Sequence, residues 1–186
     1  VESERRAWAL ADALGLRLTT ILPAGIIGPG FVRSTPTTDI IRAAQMGVFR
    51  VGAPSGTFTF VDVRDAAEAH CLALEREATG RFIVGYDHIP TFDEIARAVA
   101  RLEPRVRPPL MVLPRWLSPL LPAYDAASHA LLGTPRVATP EVVATGASGN
   151  VFNYSAARAK RELGWAPRVP FEESLRATLE LLGNLA

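Results

Sequence analysis

The residues at the carboxyl end of one predicted strand are the strongest candidates for binding chemistry. The run 16–22 carries apolar groups on both faces, which predicts a buried parallel strand, and it stops at Pro23. Open α/β sheets bind ligands beyond the carboxyl ends of their strands. Ala24 and Gly25 follow, and such small residues let a ring approach the backbone closely. The alternative interpretation is a plain strand-terminating turn.

The histidines and the single cysteine do not form a metal-ligand pattern. His70 and Cys71 are neighbours on one predicted helix, whereas His88 and His129 lie far from them in sequence. A zinc site needs several spaced ligands, so no metal site is predicted. We expect His70 to be a core or boundary histidine and Cys71 to be an inert buried thiol. One cysteine excludes an internal disulfide and favours a reducing compartment, so the cytoplasm is the expected location.

Asp62 has two interpretations. It follows the predicted strand 57–61, so its carboxylate could face a substrate cleft. It is also a good N-cap for a helix beginning at Val63, with Asp65 at the N3 position. Capping alone is enough to explain Asp62 and is the favoured interpretation, while substrate binding stays open.

These residues are positioned by predicted strands and helices, which alternate along the chain up to about residue 102. Helices dominate after that point, which predicts an α/β fold with parallel-sheet units followed by a mostly helical cap. In the helix after Asp62, one buried stripe is predicted from its apolar spacing: Val63, Ala66, Ala67, His70, Cys71 and Leu74. Strands are predicted over 16–22, 49–51, 57–61 and 81–84, a Gly/Pro loop over 24–36, an extended piece over 152–154, and helices over 1–14, 39–46, 91–102, 114–132 and 155–163, with two more starting near 139 and 171.

The composition narrows the classes of partner. A hydrophobic fraction of 48%, a charged fraction of 21% and a net charge of +1 are typical of a globular protein and unlike a nucleic-acid-binding surface. The most apolar segment, 108–132, is interrupted by prolines, so no stable membrane insertion is expected. No basic-then-apolar leader follows Val1. We therefore expect no signal peptide, and either a processed chain or a truncated sequence.

Four segments occur in an order and spacing that resemble the extended short-chain dehydrogenases/reductases, the NAD-dependent epimerase/dehydratase superfamily. They are 18–30, 58–70, 80–84 with 91–95, and 159–167 with the final helix. Within the superfamily, the chain looks most like the dihydroflavonol-reductase-like and hydroxysteroid-dehydrogenase-like branch. Each motif alone is weak, but the four in sequence cover nearly all of the chain.

This resemblance implies part of a Rossmann-type sheet that binds NAD or NADP. Residues 1–102 would be the C-terminal part of that domain with interleaved substrate-domain segments, and residues 103–186 a mostly helical substrate-binding cap. The family's nicotinamide contact is carried over to Pro23, Ala24, Gly25 and Ile26. In the family, a Gly-rich phosphate loop and a Tyr-x-x-x-Lys pair precede a helix like the one that opens this chain. The catalytic Tyr and Lys are therefore expected upstream of Val1.

The sequence itself contains neither of these motifs. Gly25-x-x-Gly28-x-Gly30 has the wrong order for a dinucleotide-binding loop and follows the wrong kind of strand. The nearest match to Tyr-x-x-x-Lys is Tyr154 with Arg158, and a guanidinium is bulkier than an ammonium and always charged. We therefore predict a structural role for Tyr154 and no catalytic residue in the chain.

The function implied by the resemblance is an NAD(P)-dependent oxidoreductase for a ketone, aldehyde or secondary alcohol of an apolar small molecule, with a homodimer as one open assembly. Phe31 and Phe49, with Val32, Met46 and the segment 109–121, are predicted to line the substrate pocket, the alternative being ordinary core contacts. The first alternative function is an NDP-sugar epimerase or dehydratase. Phe58 counts against it, because such enzymes often carry a diphosphate-binding Arg near this position. The second is a non-catalytic nucleotide-binding redox sensor.

Overall fold

The computed structural model describes residues 2–147 and 154–184, which form helices around short parallel strands. The strands are β1 (Thr19–Pro23), β2 (Gly25–Ile27), β3 (Phe60–Asp62) and β4 (Gly80–Val84). The helices are α1 (Glu2–Ala13), α2 (Pro36–Gln45), α3 (Val63–Glu75), α4 (Phe92–Leu102), α5 (Leu121–Leu132), α6 (Pro140–Ala147) and α7 (Phe171–Asn184), with a 3-10 helix over Arg115–Leu120 and a π-helical turn over Ala159–Leu163. The α/β class predicted from the sequence is confirmed.

Both strand pairs in the described part of the chain are parallel. β1 pairs with β4, with Pro23 opposite Val84, and β2 pairs with β3, with Gly25 opposite Phe60. The backbone runs from β1 into β2 almost without interruption, because the Ala24 N–H donates to the Val84 carbonyl at 2.9 Å and the Gly25 N–H donates to the Thr59 carbonyl at 3.0 Å. The prediction of an irregular loop from Ala24 onward was therefore wrong over Gly25–Ile27, whose N–H and C=O groups pair with a second partner strand.

Capping side chains fix where α2, α3 and α4 begin. Thr91 and Glu94 form a capping box at the start of α4, the helix predicted over 91–102. α2 begins earlier than expected, at Pro36, because Thr35 caps it and Pro36 occupies its first turn. Two other predictions were wrong in detail. Residues 49–51 form no strand, and β1 begins at Thr19 rather than at residue 16.

The apolar core has two parts, and the end of the chain contributes to both. α7 packs on α2 and α4, where Leu175, Leu179 and Leu182 join the first part. The π-helical turn packs on α3 and β4, where Leu163 and Trp165 join the second. The proposed division at residue 102 stays a prediction. Of the predicted extended piece 152–154, residues 152 and 153 lie outside the described part.

The buried face of α3 differs from the predicted stripe. Asp65, Ala66, Ala69 and Ala73 are the buried residues, whereas His70, Cys71 and Leu74 are exposed. Hydrophobic periodicity missed this face because it includes a charged residue, Asp65, whose carboxylate is satisfied by partners a hundred residues away. The prediction of a buried Cys71 was wrong for this reason.

The segment 165–169 holds α3 in this orientation. The Trp165 Nε1–H donates to the backbone carbonyl of Asp65 at 2.8 Å, and the N–H groups of Arg168 and Val169 donate to the Asp65 carboxylate at 3.1 and 3.2 Å. Three hydrogen bonds to one buried residue explain why α3 turns Asp65 inward. Among the described residues, no helix is long and apolar enough to cross a membrane.

Candidate functional site

A cleft lies at the junction between the end of β1 and the start of β2. Pro23, Ala24 and Gly25 line it on one side, together with Phe58 and Thr59 from the segment before β3 and Tyr154 from the C-terminal part of the chain. Its volume is about 250 Å³. Three of the four residues predicted to contact a cofactor thus share one concave surface at the carboxyl end of β1.

Gly25 is required for the shape of this cleft. A Cβ atom at Gly25 would lie 2.4 Å from Cε1 of Phe58, closer than van der Waals contact permits, and 3.1 Å from the Thr59 carbonyl oxygen, a tight contact. The missing side chain therefore lets the Phe58 ring lie directly against the β2 backbone. The cleft therefore combines the backbone of the β1–β2 junction with an aromatic ring on one surface.

The other predicted contact residues lie elsewhere. Ile26 is half-buried and packs against the second part of the core, and it is absent from the cleft lining. Phe31 is half-buried after β2 and lines neither this cleft nor the apolar cavity described below. Sequence reasoning missed Tyr154 as a lining residue, because no local pattern brings it to a loop about 130 positions earlier.

Asp62 is fully buried at the N-terminus of α3. Its Oδ1 accepts hydrogen bonds from the Arg64 N–H at 2.8 Å and from Arg64 Nε at 2.9 Å, and its Oδ2 accepts from Arg64 Nη2 and from the Ser174 hydroxyl. Burial opposes the charge on Asp62, but the hydrogen bonds from Arg64 and Ser174 outweigh it and hold its pKa below the ordinary range. The N-cap interpretation describes this geometry, since Asp62 has no exposed surface and lines neither cavity.

A buried polar network extends from Asp62 to the loop after β2. The Gly28 N–H donates to Thr178 Oγ1 at 2.8 Å, and the Thr178 hydroxyl donates in turn to the Ser174 carbonyl at 2.8 Å. The Tyr86 hydroxyl lies 2.7 Å from Ser174 Oγ, and burial raises the pKa of Tyr86 to about 12. Gly28 has φ of 118°, a conformation that favours glycine, so this network fixes the exit from β2.

A second cavity is apolar and has a volume of about 190 Å³, and its wall includes some of the residues predicted to line a substrate pocket, whose role in binding stays a prediction. Phe49 lies in its wall, together with Leu113, Leu117 and Leu120 from the predicted apolar segment. The rest of the lining comes from the 48–54 turn, α5 and the segment after it: Val48, Val51, Gly52, Pro54, Leu121, Tyr124, Asp125, Val137 and Ala138. Within the described residues, no group of His, Cys, Asp and Glu side chains is arranged to hold a metal ion.

Comparison with known proteins places the chain in a family. No family model matches the sequence. The chain is 31% identical over 187 residues to short-chain dehydrogenase/reductase family 42E member 1 of Mus musculus, an alignment that covers 92% of this chain and 45% of that protein. The chain belongs to the extended short-chain dehydrogenase/reductase family. It is also 26% identical over 166 residues to the decarboxylating sterol-4-alpha-carboxylate 3-dehydrogenase of Saccharomyces cerevisiae, covering 84% of this chain and 47% of that protein.

Solved structures of this extended short-chain dehydrogenase/reductase fold superpose on nearly the whole chain. The crystal structure of gox2253 matches with a TM-score of 0.73 and 26% identity, covering 98% of this chain and 54% of that one. The UDP-glucose 4-epimerase of Thermus thermophilus in complex with NAD matches with a TM-score of 0.64 and 20% identity, covering 98% and 52%, and shows the shared fold. The chain thus spans about half the length of these structures, and half or less of the curated relatives it matches.

Proposed function

We propose that the chain is the part of an NAD(P)-dependent oxidoreductase that contacts the nicotinamide end of the cofactor and covers the substrate. The reaction would interconvert a ketone or aldehyde with the corresponding alcohol on an apolar small molecule. Membership of a family of NAD(P)-dependent dehydrogenases, reductases and epimerases supports the cofactor class. The cleft lined by Pro23, Ala24 and Gly25 is the observation that carries the proposal, because it is concave, lies beyond the carboxyl end of β1 and has a volume of about 250 Å³.

The chain's own residues would position the reacting groups. A bound nicotinamide supplies or accepts the hydride in this chemistry. Pro23, Ala24 and Gly25 would present backbone to one face of its ring, and Phe58 would close the side of the cleft. The Asp62–Ser174–Thr178 network would hold the exit of β2 in place through the Gly28 N–H. Phe49 and its cavity would hold the apolar part of the substrate, and neither Phe31 nor Asp62 is retained as a contact.

Titration with nicotinamide mononucleotide tests this proposal on the 186-residue chain. We expect the backbone amide resonances of Ala24 and Gly25 to shift in ¹H–¹⁵N spectra, with no comparable shift caused by AMP, which lacks the nicotinamide ring. Equal effects of the two nucleotides, or no effect of either at millimolar concentration, would contradict the proposal. We further expect no turnover of NADPH with a carbonyl substrate, since the chain contains no Tyr-x-x-x-Lys pair.

The NDP-sugar epimerase or dehydratase is the alternative on the same scaffold. Phe58 disfavours it, because a phenyl ring in the cleft lining cannot pair with a diphosphate as a guanidinium does. The second alternative is a non-catalytic nucleotide-binding redox sensor. It would be favoured over an enzyme if the parent gene encoded a Gly-rich loop but no Tyr-x-x-x-Lys pair. The homodimer and the cytoplasmic location stay predictions, and the second rests on the single cysteine.

A further inference from the structure

The apolar cavity differs from the cleft in the chemistry of its walls. Its lining is aliphatic and aromatic, with only Tyr124 and Asp125 contributing polar side chains among the lining residues. The two surfaces share no lining residue, although the segment 48–59 contributes to both. Val51 and Leu120 are exposed at the cavity rim, so the apolar surface continues outward.

Both polar side chains of this cavity are already paired with protein groups. The Tyr124 hydroxyl donates to the Val48 carbonyl at 2.9 Å. The Asp125 carboxylate is buried and accepts hydrogen bonds from the N–H groups of Val137 and Ala138, at 2.9 and 3.2 Å, and from Arg136 Nε at 2.5 Å. The hydrogen bonds of these two side chains therefore hold α5 against the 48–54 turn and the segment 136–138.

This pairing decides what kind of ligand fits. A sugar, a nucleotide base or a phosphate that entered the cavity would give up hydrogen bonds to water and find no unpaired side-chain group among these lining residues in return. A hydrocarbon group loses nothing of that kind and gains the burial of its apolar surface. Charge favours the same ligand, because Asp125, the only charged side chain among the described lining residues, is neutralised by Arg136.

The volume limits the size of that group. An apolar cavity of about 150 Å³ holds a benzene molecule in a protein of known structure. The cavity described here has about 190 Å³, so a substituted benzene ring or an alkyl segment of similar volume fits. Larger ligands would extend past the apolar rim at Val51 and Leu120.

We infer that this cavity is a hydrocarbon subsite that takes one ring or a short alkyl segment and rejects sugar and nucleotide groups. The inference deepens the proposed function, on which it rests for the view that the bound hydrocarbon is the apolar end of the oxidoreductase's substrate. It gives the substrate two parts, an apolar group in the Phe49 cavity and a carbonyl or alcohol elsewhere.

Ethylbenzene and UDP-glucose are the probes that test the subsite. In ¹H–¹⁵N spectra of the 186-residue chain, ethylbenzene should shift the amides of Val48, Leu121 and Tyr124. Excess UDP-glucose should neither reproduce nor reverse these shifts. No binding of ethylbenzene near its solubility limit, or its displacement by UDP-glucose, would overturn the inference.

Two variants with matched controls locate the binding. Ala138→Leu adds three carbons to the wall and should weaken ethylbenzene binding about tenfold or more, since each displaced methylene contact is worth about fourfold. Ala130→Leu makes the same change at an exposed position of α5 and should leave binding unchanged. Leu117→Ser makes the wall polar and should also weaken binding, whereas Leu131→Ser, at a residue that is 82% exposed, should not. Equal losses in variants and controls would refute a specific subsite.

The outcome can be separated from that of the proposed function. Nicotinamide mononucleotide reports on Ala24 and Gly25, and ethylbenzene reports on Val48 and Tyr124. If only Ala24 and Gly25 shift, the oxidoreductase proposal is supported and the hydrocarbon subsite is refuted. Shifts at the second pair alone would show an apolar binding site without support for a nicotinamide cofactor.

Discussion

The Ser174 hydroxyl donates a hydrogen bond to Oδ2 of Asp62, a residue 112 positions earlier that has no exposed surface. This bond joins α7 to the N-terminus of α3, where Asp62 also accepts from the Arg64 N–H. Asp62→Ala removes the cap and leaves both donors without their buried acceptor. We expect a loss of about 2–3 kcal/mol in the free energy of unfolding, measured by urea denaturation. Asp12→Ala, at an exposed position of α1, should change it by less than about 0.5 kcal/mol.

Asp62 should also make the stability depend on acid pH. Its pKa in the fold lies below the ordinary value, because the hydrogen bonds from Arg64 and Ser174 outweigh the effect of burial. Such a group stabilises the fold above the ordinary Asp pKa, and the stabilisation is lost as the pH falls through the lowered pKa. The gap in unfolding free energy between the wild type and Asp62→Asn should therefore narrow below about pH 4. A gap that stays constant from about pH 7 to about pH 3 would show that Asp62 is not the responsible group.

The sequence was a good guide to elements with local signals and a poor guide to those held by distant partners. Thr91 with Glu94 and Pro140 at a helix start are signals contained within four residues, and the predicted helices are present. β2 carries no such signal, since Gly25–Ile27 becomes a strand only by pairing with residues 60–62. The buried face of α3 was misjudged for the same reason, because Asp65 is buried by partners a hundred residues away.

Tyr86 should control the alkaline limit of stability. Burial, reinforced by the charge of Asp62, raises its pKa to about 12, whereas an unfolded tyrosine ionises near pH 10. The unfolded chain therefore loses this proton first, and the fold loses stability as the pH rises from about 10 to 12. Absorbance at 295 nm should show a late tyrosine ionisation, near pH 12, that belongs to Tyr86. Tyr86→Phe should remove that late step, and Tyr154→Phe should leave it in place.

Cys71 should react as an exposed thiol. The structure places it on the outer surface of α3, although its helical spacing suggested the core. A thiol reagent such as Ellman's reagent should label one cysteine per chain without denaturant, at a rate close to that of the unfolded chain. Cys71→Ser should change the free energy of unfolding by less than about 0.5 kcal/mol. Labelling that requires denaturant would mean that Cys71 is buried after all.

Part of the candidate site was accessible to sequence reasoning and part was not. Pro23 and Gly25 were predicted because the end of a parallel strand is where α/β sheets bind ligands, and both line the cleft. Tyr154 was set aside because its spacing to Arg158 lacks the catalytic pattern. Its place in the lining follows from the docking of the C-terminal segment on α3, an arrangement that no short spacing encodes.

Gly25→Ala tests the steric argument on which the cleft depends. The new Cβ would lie 2.4 Å from the Phe58 ring and 2.9 Å from Cγ2 of Thr37, and 3.1 Å from a backbone oxygen that cannot easily move. The ring must therefore swing away from β2. We expect a loss of about 1–3 kcal/mol in the free energy of unfolding, the usual cost of overpacking, and weaker binding of nicotinamide mononucleotide.

Gly183→Ala provides the matched control for this substitution. Within the described part of the chain, a Cβ at Gly183 would meet no atom within 4 Å beyond its chain neighbours and the backbone of its own helix, and the helical backbone of α7 favours alanine over glycine. This variant should be as stable as the wild type or up to about 1 kcal/mol more stable, with unchanged binding. The same methyl group would thus have opposite effects at the two glycines, because only at Gly25 is the space already occupied by Phe58. Similar effects of both substitutions on stability and binding would mean that the close approach of Phe58 to β2 does not shape the cleft.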